Sequence, residues 1–130
     1  MTEITGTWRL VGAKPVDPEG QPLPLPYGPQ AIGRIVFTSD KRVLVSISDG
    51  RPELPAGTAR EYGGYTGDYT FDGTTLTTNV DAAPNPTYVG AAQIRGVRFE
   101  GERMVLQPPP RDIGGVIHHR ELTWKRISPV

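Results

Sequence analysis

Five side chains could transfer a proton or hold an anion, and all stand in strand-like segments of the chain: Tyr65, Tyr69, Arg95, His118 and Arg120. A histidine titrates near neutral pH, so His118 is the candidate general acid or base. A tyrosine can donate a proton, and an arginine can stabilise a developing oxyanion. These residue types fit an acid–base reaction, and they fit the recognition of a polar group equally well.

The two histidines, His118 and His119, are adjacent in the stretch "GVIHHREL". Adjacent residues of a strand point to opposite sides of the sheet, so this pair is badly placed to bind one metal ion. The chain has no cysteine, which excludes a thiolate nucleophile and cysteine metal ligands. A Gly-x-Ser-x-Gly nucleophile motif is also absent. We therefore expect neither a metal nor another cofactor.

Length and composition predict a single domain over residues 1–130. Basic and acidic residues balance at 14 each. The chain therefore lacks the excess of positive charge that would attract nucleic acid or an anionic membrane. No apolar run approaches the ~20 residues that a membrane-spanning helix needs. The opening stretch "MTEITGTWRL" shows no secretory signal, and we expect a cytoplasmic location.

Eight short segments rich in apolar and β-branched residues alternate with turns, and they cover residues 5–13, 31–38, 42–48, 60–71, 74–80, 91–100, 103–107 and 115–127. Asp72-Gly73 predicts a tight hairpin turn. The segment 14–29 contains six prolines and is predicted to be a long ordered loop, because proline cannot donate to a sheet. The fold is predicted to be all-β and antiparallel, either a sandwich or an up-and-down barrel, and closure into a barrel removes exposed edges.

Alternation along a strand decides which side chains share a face. In the last segment, His118 and Arg120 share a face with Leu122 and Trp124, so all four point inward if the two apolar residues do. The same alternation aligns a set from the fourth and sixth segments: Tyr65, Tyr69, Phe71, Gln93, Arg95 and Phe99. We expect this shared face to surround a small, mostly apolar cavity with a few polar groups.

Three features of the sequence can each be interpreted in more than one way. Arg95 is costly to bury alone, so it meets a tyrosine, receives a polar ligand group, or reaches water at a strand end. Tyr27 and Tyr88 lie in proline-containing loops that form either a rim over the interior or plain connections. The glycines of "REYGGYTGDY" resemble a phosphate loop, but within a strand they indicate bends or close backbone approach instead.

Several segments, in this order, resemble the lipocalin-like domain family of small bacterial calycin-type β-barrels: "GTWRLV", "PYGPQAIGRIVFTSDKRVLVSI", "YTGDYTFDG", "PNPTYVGAAQIRGVRFEGERMVLQPPP" and "ELTWKR". The resemblance implies an eight-stranded antiparallel up-and-down barrel. It also implies that Trp8 packs at the closed end beneath a basic residue, Arg126 or Lys125. Members of the family often carry a histidine pair after the Asp-Gly hairpin, but Thr78 and Asn79 stand there in this chain, so no role of that pair is transferred.

Three functions of different classes follow from this reading. In the first, the barrel binds a small, largely apolar molecule with a polar handle, through Arg95, Arg120, Gln93, Phe71, Phe99, Trp124, Tyr88 and Tyr27. The second is a cofactor-independent isomerase, cyclase, lyase or hydrolase, with His118, Tyr65 and Tyr69 as catalytic residues. In the third, a filled barrel acts through its surface, as an oligomer such as a homodimer or as a partner-binding unit.

Overall fold

The computed structural model describes residues 3–129 and contains nine β-strands. Their bounds are β1 Gly6–Val16, β2 Ala31–Phe37, β3 Arg42–Asp49, β4 Tyr62–Phe71, β5 Thr75–Ala82, β6 Ala92–Glu100, β7 Arg103–Gln107, β8 Arg111–Ile113 and β9 Val116–Ser128. A short 3-10 turn, Pro86–Tyr88, lies between β5 and β6. These elements confirm the all-β prediction.

The strands close into an antiparallel barrel. Each strand from β1 to β6 pairs with the next, β7 pairs with β9, and β9 returns to pair with β1. The pairing places eight strand positions around the barrel in up-and-down order, as predicted. Closure joins the first and last strands of the main sheet, and it gives the barrel an interior into which every second residue of a strand projects.

The structure contains one more strand than the eight predicted: β8 lies between the predicted strand segments 103–107 and 115–127, where only a connection was expected. Leu106 pairs with Leu122 and Arg111 pairs with His118, so β7 and β8 lie in succession along the same side of β9. The run Pro108–Pro110 separates them because proline has no backbone donor for the sheet. Pairing resumes once Arg111 supplies that donor again.

The first strand is also longer than predicted, since β1 continues to Val16 instead of ending at residue 13. Beyond Arg9 this strand no longer pairs with β2, and its end contacts the following loop through a bridge between Val16 and Pro22. The carbonyl of Pro15 accepts a hydrogen bond from Leu23 N–H at 2.9 Å, so Pro15 faces an irregular loop there and not a regular strand that would need its missing N–H group. The proline-rich loop accordingly begins at Asp17.

The predicted turns and close approaches are present. The carboxylate of Asp72 accepts hydrogen bonds from the backbone N–H groups of Thr74 and Thr75, at 2.9 and 2.7 Å. Gly73 adopts a φ of 104°, which favours glycine. Within β4, the Cα of Gly64 packs against the carbonyl oxygen of Val45, leaving no room for a side chain. Close backbone approach thus explains this glycine, as the sequence indicated.

One end of the barrel is closed by Trp8. Its indole Nε1 donates to the carbonyl of Ile4 at 2.9 Å, and the Arg126 guanidinium lies over the ring at 4.4 Å from the centroid. Arg126 also donates to the carbonyl oxygens of Thr5 and Glu3. The structural interpretation of Trp8 is therefore confirmed, with Arg126 as the stacked residue.

Aromatic side chains fill the half of the barrel next to Trp8. Phe99 packs between Trp8 and Phe71, with ring centroids at 6.4 and 6.1 Å. Tyr69 is buried edge-on against Phe37, and its hydroxyl donates to the carbonyl of Thr38 at 3.3 Å. The space that remains inside the barrel consequently lies toward the opposite end.

Candidate functional site

A cavity of about 750 Å³ opens at the end of the barrel opposite Trp8. Four side chains belong both to the hydrophobic core and to the cavity wall, and they form its floor: Ile35, Ile47, Leu106 and Trp124. Val45 and Leu122 extend the apolar wall above them. The lower part of the cavity therefore offers an apolar surface to a bound molecule.

Polar side chains surround the mouth of this cavity. Of the residues predicted from the sequence, seven line it: Tyr27, Tyr65, Tyr88, Gln93, Arg95, Arg120 and Trp124. Strands β4, β6 and β9 contribute Tyr65, Arg95 and Arg120, while the loops before β2 and β6 contribute Tyr27 and Tyr88. Three strands and two loops thus bring together groups that lie far apart in sequence.

Arg95 and Arg120 differ in how they are held. The Nη2 of Arg95 donates to Gln93 Oε1 at 2.6 Å, and its Nη1 donates to the carbonyl of Ile94 at 3.0 Å. The Nε of Arg120 is buried and finds no acceptor among residues 3–129. Burial lowers the pKa of Arg120, and the nearby charges of Arg95 and Arg111 lower it further. The mouth therefore holds a partly desolvated cation beside other cations.

No carboxylate of the described residues neutralises this group of arginines. The ion pairs found within residues 3–129 involve neither Arg95, Arg111 nor Arg120. Glu121 is the one acidic residue along the described cavity wall, but its oxygens accept from Arg98 at 3.2 Å and from Gln107 at 2.7 Å. The cavity mouth is consequently rich in hydrogen-bond donors and positive charge, and poor in acceptors.

Two tyrosines add neutral donors. Burial raises the pKa of Tyr65, although the charge of Arg95 opposes that shift. Burial likewise raises the pKa of Tyr27, opposed first by Arg120. Both phenols therefore stay protonated at neutral pH and present O–H groups to the cavity. A raised pKa also makes each tyrosine a weaker acid than a free phenol.

The arrangement is thus an apolar pocket with a donor-rich mouth inside a closed barrel. Comparison of the sequence with known families identifies the family of this barrel. The family model for the lipocalin-like domain matches residues 5–127. The chain belongs to the lipocalin-like domain family. A search of curated proteins found no match for it, and neither did a search of solved structures.

The remaining predicted residues of this lipocalin-like domain do not line the cavity. Tyr69, Phe71 and Phe99 share the inward face with the lining residues but lie in the filled half near Trp8. His118 is half-buried on the extension of β9, where it pairs with Arg111 of β8. The candidate acid–base set is therefore divided, with Tyr65 at the cavity, Tyr69 in the core and His118 beyond the mouth.

His119 points away from the main cavity. It lines a smaller surface pocket of about 340 Å³ with Lys14 and Val16. Among the residues that the structure describes, no three His, Asp or Glu side chains are placed to hold a metal ion. Within that same part of the chain, no helix is long and apolar enough to span a membrane.

Sequence reasoning missed two parts of the lipocalin-like domain's site. Arg111 lines the cavity together with Pro108–Pro110, and the run "PPPRD" gave only the signal of a loop. A second omission is Asp49, which is buried at the end of β3 and binds Arg51 through a 2.6 Å contact to Nη2. The hydrogen bond to Arg51 lowers the pKa of Asp49.

The Asp49–Arg51 pair supports the loop that carries Tyr27. Gly28 has a φ of 71°, and a Cβ at this position would lie 2.7 Å from Asp49 Oδ2. Gly50 also donates its backbone N–H to the carbonyl of Gln30 at 2.8 Å. The loop of residues 17–30 is thus fixed against the segment after β3, which places Tyr27 at the cavity mouth.

Proposed function

We propose that this lipocalin-like domain binds a small, largely apolar molecule with a polar handle inside the barrel. The observation that carries the proposal is the cavity of about 750 Å³, whose floor is apolar and whose mouth holds arginine and tyrosine donors. Small-molecule pockets typically have volumes of roughly 300–1,000 Å³ and place a few polar groups in an apolar wall. A lipocalin-like barrel fits ligand binding in general terms.

The cavity also argues against a barrel that acts only through its surface. A filled barrel would need side chains where the described residues leave open space between Ile35, Leu106 and Trp124. Protein interiors otherwise pack closely. An open, apolar-walled cavity of this size fits a bound molecule better than it fits a barrel that acts only through its outer surface.

The enzymatic alternative has weaker support. No histidine belongs to the described cavity wall, and the tyrosines at the mouth have raised pKa values. A general base must come within hydrogen-bond reach of the proton that it removes. Catalysis through His118 would require a substrate that extends beyond the mouth, and loss of turnover in His118→Ala without loss of binding would reveal it.

Native mass spectrometry of freshly purified protein, beside the same sample denatured, tests the proposal. We expect a bound mass that disappears on denaturation and that is displaced by an apolar probe such as 1-anilinonaphthalene-8-sulfonate. The absence of both a bound mass and any probe binding would contradict a ligand cavity. A cytoplasmic location and a homodimer stay predictions from the sequence.

A further inference from the structure

We propose that the ligand of this cavity is an amphipathic carboxylic acid whose carboxylate is held by Arg95 and Arg120 and whose tail carries an acceptor oxygen for Trp124. This inference rests on the proposed function and specifies the chemistry of the polar handle. Two buried N–H groups that find no acceptor within residues 3–129 support it, one at the mouth and one at the floor.

The charge at the mouth selects an anion. Arg95, Arg111, Arg120 and Lys14 all border the cavity, while the one acidic residue of its described wall, Glu121, is already hydrogen-bonded elsewhere. Arg120 and Arg95 repel each other, and Arg120 is also partly desolvated. An anionic ligand group removes this repulsion, a neutral group leaves it, and a cation increases it.

The geometry of the two arginines suits a carboxylate. Arg95 is oriented by Gln93 and by the carbonyl of Ile94, which use two of the five N–H donors of a guanidinium. The buried Nε–H group of Arg120 has no acceptor in the part of the chain that the structure describes. Planar guanidinium groups bind carboxylates through paired hydrogen bonds, and a preoriented partner loses little entropy on binding.

Trp124 supplies the second recognition point. Its side chain is almost fully buried at 1% exposure, it lines the cavity floor, and its Nε1–H has no acceptor among residues 3–129. The indole of Trp8, in contrast, donates to Ile4. Buried tryptophan N–H groups usually have partners, so we infer that a hydroxyl or keto oxygen of the ligand accepts from Trp124.

The spacing of these two points sets the size of the ligand. Arg120 and Trp124 are four residues apart on β9, a separation of about 13 Å along an extended strand. Apolar side chains, including Leu122 and Val45, line the wall between mouth and floor. The ligand is therefore an acid whose apolar chain of roughly this length bears an oxygen near its far end.

Calorimetric titration with decanoate, decanol and decyltrimethylammonium tests the anion preference, because the three probes share one tail. We expect decanoate to bind at least about tenfold more tightly than decanol, and the cation to bind most weakly. Equal affinities for decanoate and decanol would overturn this inference while the cavity function stands. If none of the probes bound, the proposed function itself would fail.

Arg120→Gln tests the residue assignment. We expect it to weaken decanoate binding by about tenfold or more and to leave decanol binding within about twofold. Arg34→Gln removes the same charge from an exposed position on β2 and should change neither affinity. A decanoate affinity that is unchanged in Arg120→Gln, or equally reduced in both variants, would contradict the assignment.

The tail oxygen is tested with ω-hydroxydecanoate. We expect it to bind several-fold more tightly than decanoate to the unmodified protein, and Trp124→Phe to abolish that difference. If Trp124→Phe does not fold, the indole N–H chemical shift of Trp124 in the unmodified protein gives the answer. A shift that is the same with both acids would overturn the tail contact.

Discussion

Arg120 and Trp124 stand on the same face of β9, four residues apart, and each has a buried N–H group without an acceptor among the described residues. Arg120 lies at the mouth of the cavity and Trp124 on its floor. Unsatisfied buried donors are uncommon in folded proteins because each costs about 1–3 kcal/mol of stability. Two of them along one cavity wall are the observations on which the proposed carboxylic-acid ligand rests.

Arg120→Met should stabilise the ligand-free protein. The substitution removes a desolvated cation that is repelled by Arg95 and Arg111, and it keeps an apolar stem of similar length. We expect the free energy of unfolding to rise by about 1 kcal/mol, which corresponds to a few degrees in Tm for a domain of this size. Differential scanning calorimetry of delipidated protein measures this change. A lower Tm would mean that Arg120 has a structural partner instead.

Gly63→Ala should displace the Tyr27 ring, because a Cβ at position 63 would lie 2.8 Å from Tyr27 Oη. We expect a loss of about 1 kcal/mol in stability. The double variant with Tyr27→Phe should recover most of it, since the hydroxyl oxygen that clashes is then absent. Urea unfolding of the four proteins completes a double-mutant cycle. Additive effects of the two substitutions would show that Tyr27 does not pack on Gly63.

Acid should loosen the loop that bears Tyr27. The hydrogen bond from Arg51 lowers the pKa of Asp49 in the folded protein. The resulting stabilisation is therefore present above the ordinary aspartate pKa of about 4, and it is lost as the pH falls through the lower folded value. We expect amide exchange of residues 17–30 to accelerate, relative to the intrinsic rates, as the pH falls below about 4. Asp49→Asn should already show fast amide exchange of this loop at pH 6. If the loop amides of the unmodified protein were as well protected from exchange in acid as at pH 6, the role of Asp49 would be refuted.

Arg126→Met should weaken the closed end without affecting the cavity. It removes the stacking of the guanidinium on Trp8 and the hydrogen bonds to Thr5 and Glu3. We expect a loss of about 2 kcal/mol in stability and a decanoate affinity within twofold of that of the unmodified protein. Chemical unfolding and calorimetric titration measure the two quantities. A large fall in affinity at preserved fold would show that the two ends are coupled.

Most strands and inward-facing side chains could be predicted from the sequence. The position of each side chain along the barrel axis, in the packed half or at the cavity, could not. The period of two aligns Tyr65 with Tyr69 and Phe71, but it does not say where along the barrel the packed core ends. Tyr69 and Phe71 lie in the filled half, whereas Tyr65 lines the cavity. On β9 the same period aligns His118 with Arg120, although His118 lies on the extension that pairs with β8. Depth depends on strand register, which arises from pairing between distant segments.

Loop-borne parts of the site were harder to anticipate. Asp49 gains its role from Arg51 and from the close approach of Gly28, a contact between two segments about 20 residues apart in sequence. The strand at Arg111 was hidden by Pro108–Pro110, because prolines normally end strand pairing. The resemblance to lipocalin-like domains indicated the barrel, but folds of this kind host many functions, so the ligand chemistry had to be inferred from the site itself.

The most direct test of the account is the indole region of a two-dimensional ¹⁵N NMR spectrum, recorded during titration with decanoate and ω-hydroxydecanoate. The chain has two tryptophans, so two indole N–H signals are expected, and Trp8→Phe assigns them. A ligand in the cavity should shift the Trp124 signal, most strongly with ω-hydroxydecanoate, and leave the Trp8 signal in place. If both indole signals stayed unchanged at saturating concentrations of decanoate and ω-hydroxydecanoate, the cavity between Arg120 and Trp124 would not be the binding site.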